Sequence, residues 1–134
     1  MRGDDIDQTR AKRNVEDTLT AHPDINCMVG FYSYTSPRIY EALKDAGKLK
    51  QITVIGFDED SITLGGVKEG TIASTVVQQP YEWGYTGMKT MAKYLEGDKS
   101  VVPAGGLMII PTKIISKDNV DAFWAELKER QGKK

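Results

Sequence analysis

The sequence predicts an α/β fold: a parallel sheet with helices on both faces. Three observations carry that prediction. Helix-like and strand-like patterns alternate from one end of the chain to the other. The run Ile52 to Gly56 is uncharged and rich in β-branched residues, as expected of a strand inside a parallel sheet. That run stops abruptly at Phe57-Asp58, so a carboxylate stands at a strand's carboxyl end, where open α/β sheets bind their ligands.

The first helix is predicted over residues 5–22. Ala11, Val15 and Leu19 recur at i, i+4 and i+8 among charged residues, Asp7 is the N-cap, and Pro23 ends the helix. Ile25 to Tyr32 forms the first strand. Ser36 then caps a second helix with Pro37 at its first position; Ile39, Ala42, Leu43 and Ala46 are its buried stripe, and Gly47 stops it. The second strand is 52–57. A short helix follows at about 61–69, interrupted at Gly65-Gly66 and closed by Gly70, and the third strand is Ile72 to Val77. Pro80 opens a long helix to about 96, with Gly84, Met88, Met91, Ala92 and Leu95 on one face and Gly97 as its stop. Residues 98–106 form a loop. Leu107 to Ile110 reads as a fourth strand, and Thr112 to Ile115 continues extended beyond Pro111. Ser116 caps the last helix, whose stripe is Val120, Phe123, Trp124 and Leu127, and the tail QGKK frays. Three or four strands fall short of the five or so of a doubly wound domain, which suggests part of something larger.

Composition narrows the function classes. The 134 residues are the size of one domain, and 40% hydrophobic with 28% charged residues is ordinary for a globular protein. With 18 basic and 19 acidic residues the net charge is −1, which gives no electrostatic argument for nucleic acid or an anionic membrane. No apolar run is long enough to span a bilayer, and MRGDDIDQTR contains no signal-peptide core. The single cysteine, Cys27, excludes an internal disulfide and lies in an apolar run, so a buried, inert thiol is expected. One histidine, His22, supplies neither a metal site nor His-based catalysis, and no cofactor or metal is expected. GxSxG, P-loop, GxGxxG and HExxH motifs are all absent, and the RGD at 2–4 is short enough to occur by chance.

Three strand ends point the same way in this arrangement. They deliver Tyr32 with Ser33 and Tyr34, then Asp58, then Gln78 with Gln79. An acid and an amide can bond vicinal hydroxyls, and aromatic rings can pack on the apolar face of a sugar. Taken singly, each residue has a plainer role. Asp58 would be a helix N-cap, the tyrosines half-buried rim residues, and the glutamines an ordinary turn before Pro80. Together, on one edge, they read as a small-molecule pocket.

At this point the chain resembles a known family, the type I periplasmic sugar-binding proteins, specifically the ribose-binding-like solute receptors of ABC transporters. The likeness is to their C-terminal half. It lies in DIDQTR (5–10) with LTAHPDI (19–25), EALKDAGK (41–48), ITVIGFD (52–58), VKEGTIASTVVQQPYEWGY (67–85) and TKIISKDNVDAF (112–123). The resemblance implies a periplasmic-binding-protein-like, flavodoxin-like lobe that is incomplete, and a non-enzymatic function in the periplasm. Asp58 and Gln78 match the family's sugar-hydroxyl ligands. Tyr32 falls where members carry a polar or an aromatic side chain, and Ile6 falls near an aromatic ligand of ribose-specific members. The family's N-terminal lobe, hinge and an Arg ligand would fall before residue 1.

The resemblance also divides the chain. Residues 1–79 and 107–134 would belong to the C-terminal sugar-binding lobe, with 107–134 as return strand and closing helix. Residues 80–106 would pack on the N-terminal lobe. The partners implied are a monosaccharide and, through the intact parent, membrane transporter subunits. Self-association of this segment is expected where the stripe Met88, Met91, Leu95 is uncovered. Two rival readings share parts of the pattern: the effector-binding core of a lactose-repressor-like regulator, and a small flavodoxin-like enzyme or receiver domain centred on Asp58-Glu59-Asp60.

Overall fold

Strand pairing sets the architecture of the computed structural model, which describes residues 3–132. The elements are α1 (Gln8–Ala21), β1 (Cys27–Val29), α2 (Thr35–Asp45), β2 (Thr53–Phe57), α3 (Ser61–Glu69), β3 (Ser74–Val77), α4 (Pro80–Leu95), β4 (Lys113–Ser116) and α5 (Val120–Arg130). The sheet runs β1-β2-β3-β4. Met28 pairs with Val54, and Ile55 with both Val29 and Ser74, in parallel registers. The expected α/β class and parallel sheet are therefore present.

The chain divides into two compact units. One comprises Met1–Val77 and Ile114–Lys134; the other is Gln78–Lys113. In the first unit the core lies on one face of the sheet. Met28, Val54, Val77 and Ile115 pack there against Leu19 of α1, Ile39 and Leu43 of α2, Leu64 and Val67 of α3, and Val120 of α5. The opposite face carries Cys27, Val29, Thr53, Ile55 and Phe57, which alternate with the buried set and are exposed or half-buried. The helices of this unit thus cover one face, whereas the sequence reading places helices on both. The β-branched run of β2 resembles a doubly buried strand only because Thr53 and Ile55 are as β-branched as Val54.

Local sequence explains most element ends. Asp7 caps α1 by accepting from Arg10 N at 3.0 Å. Gly70, at φ 73°, closes α3, and its left-handed backbone is what glycine permits there. The last helix buries Val120 and rests Phe123, Trp124 and Leu127 on the core, as its stripe predicts.

Several ends differ from the sequence reading. Ser36 does not cap α2; it is buried in the first turn, where its Oγ donates to Gly30 O at 3.4 Å, and Tyr34 holds the cap position with no side-chain cap bond. Ser116 ends β4, and Asn119 precedes α5, its Oδ1 accepting from Ser116 N and its Nδ2 donating to Ile114 O. Helix α3 runs unbroken through Gly65-Gly66, because Gly66 lets Ile72 close against it: a Cβ there would lie 2.7 Å from Ile72 Cδ1. The first strand is three residues long rather than eight, and Leu107–Ile110 is irregular. Leu107, Met108 and Ile109 are exposed, and the stretch is not part of the four-stranded sheet. Ala46, expected in the stripe of α2, is its exposed C-cap. Of the tail, Lys133 and Lys134 lie outside the described residues.

Beneath β2, Gly56 meets the fully buried side chains of Ser36, Thr63 and Thr75. A Cβ on Gly56 would stand 3.0 Å from Ser36 Oγ and Thr63 Cγ2 and 3.2 Å from Thr75 Oγ1. Gly56→Ala is therefore expected to destabilise the fold by about 1–3 kcal/mol. Gly65→Ala, with nothing within 4 Å of the new methyl, is expected to stabilise by about 0.5–1 kcal/mol. Urea denaturation of the two variants checks both signs.

Candidate functional site

Parallel pairing brings the carboxyl ends of β1 and β2 to the same edge of the sheet. After β1 the chain turns at Gly30. A Cβ here would meet Ser36 Oγ at 2.7 Å and Thr35 Oγ1 at 2.8 Å, so only glycine lets the chain pass this close to the first turn of α2. Three bonds then fix the backbone of Tyr32. Its N–H donates to Thr35 Oγ1 at 3.0 Å, and its carbonyl accepts from Thr35 Oγ1 at 2.8 Å and from Thr35 N at 2.9 Å. The Tyr32 ring is 62% exposed and lies parallel to that of Tyr34, 6° between planes and 5.9 Å between centroids. Tyr34 Oη donates to Asp4 Oδ1 at 2.8 Å. That bond to a carboxylate, with desolvation adding to it, pushes the Tyr34 phenol up to about 12.

Asp58 follows β2 directly. Its N–H donates to Val76 O at 2.9 Å, and its carbonyl accepts from Thr75 Oγ1 at 2.8 Å. Both partners belong to β3, and between them Asp58 sits at φ 66°, a left-handed conformation that few residues other than glycine, asparagine and aspartate take readily. The cap that Asp58 could have supplied to α3 is supplied by Asp60, whose Oδ1 accepts from Ile62 N at 2.8 Å and Thr63 N at 3.4 Å. Among the described residues of its own unit, the Asp58 carboxylate makes no hydrogen bond or ion pair. Beside it, burial raises the Glu59 carboxyl above the usual carboxylate range, and the Asp58 charge raises it further. The triplet 58–60 is thus three carboxylates with three different settings, and no group of His, Cys, Asp or Glu suited to a metal ion forms among the described residues.

Gln78 follows the last residue of β3, is exposed, and opens the second unit. Gln79 has a different task. Its Nε2 donates to Pro111 O at 2.6 Å, tying together the two ends of the second unit. The structure thus brings Tyr32 and Asp58 to one sheet edge and places Gln78 at the end of the next strand. Ser33 lies exposed in the turn, and Ile6 stands 82% exposed at φ 66°.

Two features escaped the sequence reading. Phe31 and Phe57 pack with ring centroids 5.5 Å apart at the ends of β1 and β2. The signal for them is the register: Val29 pairs with Ile55, and two residues further on lie Phe31 and Phe57. Asp4 reaches Tyr34 across thirty positions, and no local pattern announces that pairing. Cys27, expected to be buried, is exposed, because it lies on the sheet face away from the core.

Among the described residues, the carboxyl edge of this parallel sheet offers a carboxylate without a partner and exposed aromatic rings, at the place where open α/β sheets take small molecules. Residues 2–99 match the periplasmic binding protein domain family, and the chain belongs to that family. It is 33% identical over 95 residues to the ribose import binding protein RbsB of Salmonella typhimurium, a match covering 71% of this chain and 32% of that protein. The corresponding RbsB of Bacillus subtilis is 32% identical over 95 residues, 71% of this chain and 30% of that one. The chain spans about a third of the length of the curated relatives it matches. Among solved structures, GanP, a glucose-galactose binding protein from Geobacillus stearothermophilus, aligns with TM-score 0.75 and 31% identity over 87% of this chain and 40% of its own. An ABC transporter solute binding protein from Agrobacterium vitis with bound D-fucose aligns with TM-score 0.77 and 28% identity over 93% of this chain and 42% of its own.

The Asp4–Tyr34 bond has a spectroscopic consequence. In an alkaline titration followed by tyrosinate absorbance, one phenol is expected to ionise last, at about 12. Asp4→Ala should return it to the ordinary range near 10. A raised phenol favours the folded state below the unfolded value, and that contribution is lost as pH rises through the folded one. Identical titrations for the parent and Asp4→Ala would show the bond to be absent in solution.

Proposed function

We propose that this chain is the C-terminal sugar-binding part of a periplasmic solute receptor of an ABC transporter. In this reading Tyr32, Asp58 and Gln78 contact a monosaccharide. The observation that carries it is the setting of Asp58. Two bonds from β3 hold its backbone in a left-handed turn, and Asp60 takes over the helix cap, so the Asp58 carboxylate is left to accept bonds from a ligand. The names of the relatives support a sugar as that ligand: ribose import, glucose-galactose binding, bound D-fucose. The set is one for binding rather than catalysis, since no nucleophile and base are paired in it. No helix among the described residues is long and apolar enough to cross a membrane. The periplasm is the compartment this reading implies, and transporter subunits are the protein partners.

The same reading assigns residues 1–79 and 107–134 to the sugar-binding lobe and 80–106 to a segment that packs on an N-terminal lobe. Helix α4 supports that assignment: none of its residues is buried, and Met88 and Leu95 are 69% and 77% exposed. An apolar surface of this kind recruits partners, and the chain by itself is expected to self-associate through it.

One lobe presents an acid, an amide and a ring on an open, wet face, where hydroxyls exchange water for protein with little net gain. The chain alone is therefore expected to bind monosaccharides no tighter than about millimolar, near −4 kcal/mol. Asp58→Asn, which keeps the left-handed turn but removes the charge, should weaken binding more than tenfold, as a lost charge-assisted bond of about 1.5–3 kcal/mol would. Gln78→Ala should cost about 0.5–1.5 kcal/mol. Calorimetric titration with D-ribose, D-galactose and D-fucose measures both; unchanged affinity in Asp58→Asn would leave Asp58 as a turn residue only.

A further inference from the structure

We propose that Asp4 and Tyr34 form a positioning pair that holds the Tyr32 ring at one angle and so sets which sugar ring shapes the site accepts. The proposal rests on the reading of Tyr32 as a sugar contact. A tyrosine exposed as fully as Tyr32 ordinarily samples several rotamers, and ordering it on a ligand costs entropy. Here the ring is backed by a second ring. Tyr34 lies parallel behind it, and Tyr34 is itself half-buried and tied by its hydroxyl to Asp4.

Asp4 is in turn fixed. The same Oδ1 that accepts from Tyr34 accepts from Ile6 N at 3.0 Å, and Asp4 O accepts from Asp7 N at 2.9 Å. Asp7 caps α1 through Arg10 N. A continuous set of hydrogen bonds therefore runs from the first turn of α1 through Asp4 to Tyr34, whose ring in turn stacks on that of Tyr32. Tyr34 stands at the N-cap position of α2 but makes no cap bond. Its side chain is turned to Asp4 instead, which capping would not require.

A fixed ring and a mobile ring behave differently toward sugars. The fixed ring fits those whose C–H face matches its plane and rejects the rest, whereas a mobile ring adapts to each. Freeing the ring should therefore level the ranking of sugars rather than weaken all of them alike. A bond that merely anchors residues 3–7 would change no ranking.

The test uses three variants of the full chain. Tyr34→Phe keeps both rings but removes the donor, Asp4→Ala removes the acceptor, and Asp4→Asn keeps an acceptor in the same place. Two readouts are taken: the ring resonances of Tyr32 without sugar, and the relative affinities for D-ribose, D-xylose, D-galactose and D-fucose by NMR titration. In Tyr34→Phe and Asp4→Ala the Tyr32 ring signals are expected to move toward averaged values. The spread of affinities should narrow by roughly 2- to 10-fold, and Asp4→Asn should retain both parent behaviours. Unmoved ring signals, or affinities that fall by one common factor, would overturn the proposal. If the parent chain binds none of the four sugars, the sugar reading of Tyr32 falls and the selectivity falls with it. The ring signals then decide by themselves whether Asp4 and Tyr34 hold Tyr32.

Discussion

Parallel registration of β1, β2 and β3 is the constraint on which the site depends. With Val29 opposite Ile55 and Ile55 opposite Ser74, the chain must leave all three strands at the same edge. The exits of β1 and β2 are each shaped by contacts from a neighbouring element. Thr35 of α2 holds the backbone of Tyr32, and Thr75 and Val76 of β3 hold that of Asp58. The glycines Gly30 and Gly56 allow these neighbours to come close, since a Cβ at either would press on Ser36. The fully buried Ser36, Thr63 and Thr75 under Gly56 thus belong to the support of the site as much as to the core. Small residues packed below the edge hold its backbone in place, while the side chain of Tyr32 stays exposed and Asp58 is half-buried.

How far the sequence reveals this depends on the range of the interaction. The Asp7 cap, the Gly70 stop and the stripe of α5 were legible because each is a local pattern a few residues long. Asp58 was legible as a strand-end acid, yet its freedom from capping was not, because Asp58 and Asp60 are equivalent as sequence signals and only backbone geometry separates them. Ser36 and Ser116 resemble caps for the same reason: a serine before a helical stretch fits both a cap and a tightly packed first turn or strand end. Gly65-Gly66 suggested a break, but the close approach of Ile72 to Gly66 gives that glycine a packing role inside an intact helix. The stretch Leu107–Ile110 has strand-like residues but is not part of the four-stranded sheet. The tie between Asp4 and Tyr34 was beyond reach, as nothing local links positions so far apart.

Burial is unevenly distributed. One face of the sheet packs against four helices, while Val29, Phe31 and Ile114 are exposed, and α4 buries none of its residues. Membership in the periplasmic binding protein domain family, with about a third of its relatives' length spanned, fits such surfaces. Under the proposed reading, these apolar residues would be covered in the intact receptor, and the weak sugar affinity proposed for the chain by itself would have the same origin. A cleft that surrounds its ligand gains from excluding water on all sides, and an open edge does not.

The central claim is that the edge formed by the ends of β1 and β2 meets a monosaccharide. Mapping backbone amide shifts of the isotopically labelled chain during titration with D-ribose, D-galactose or D-fucose tests it most directly. The account predicts saturable shifts concentrated at residues 30–35, 56–60 and 76–79, with little change in α3 or α5. Shifts confined to other surfaces, or none at sugar concentrations about tenfold above millimolar, would contradict it.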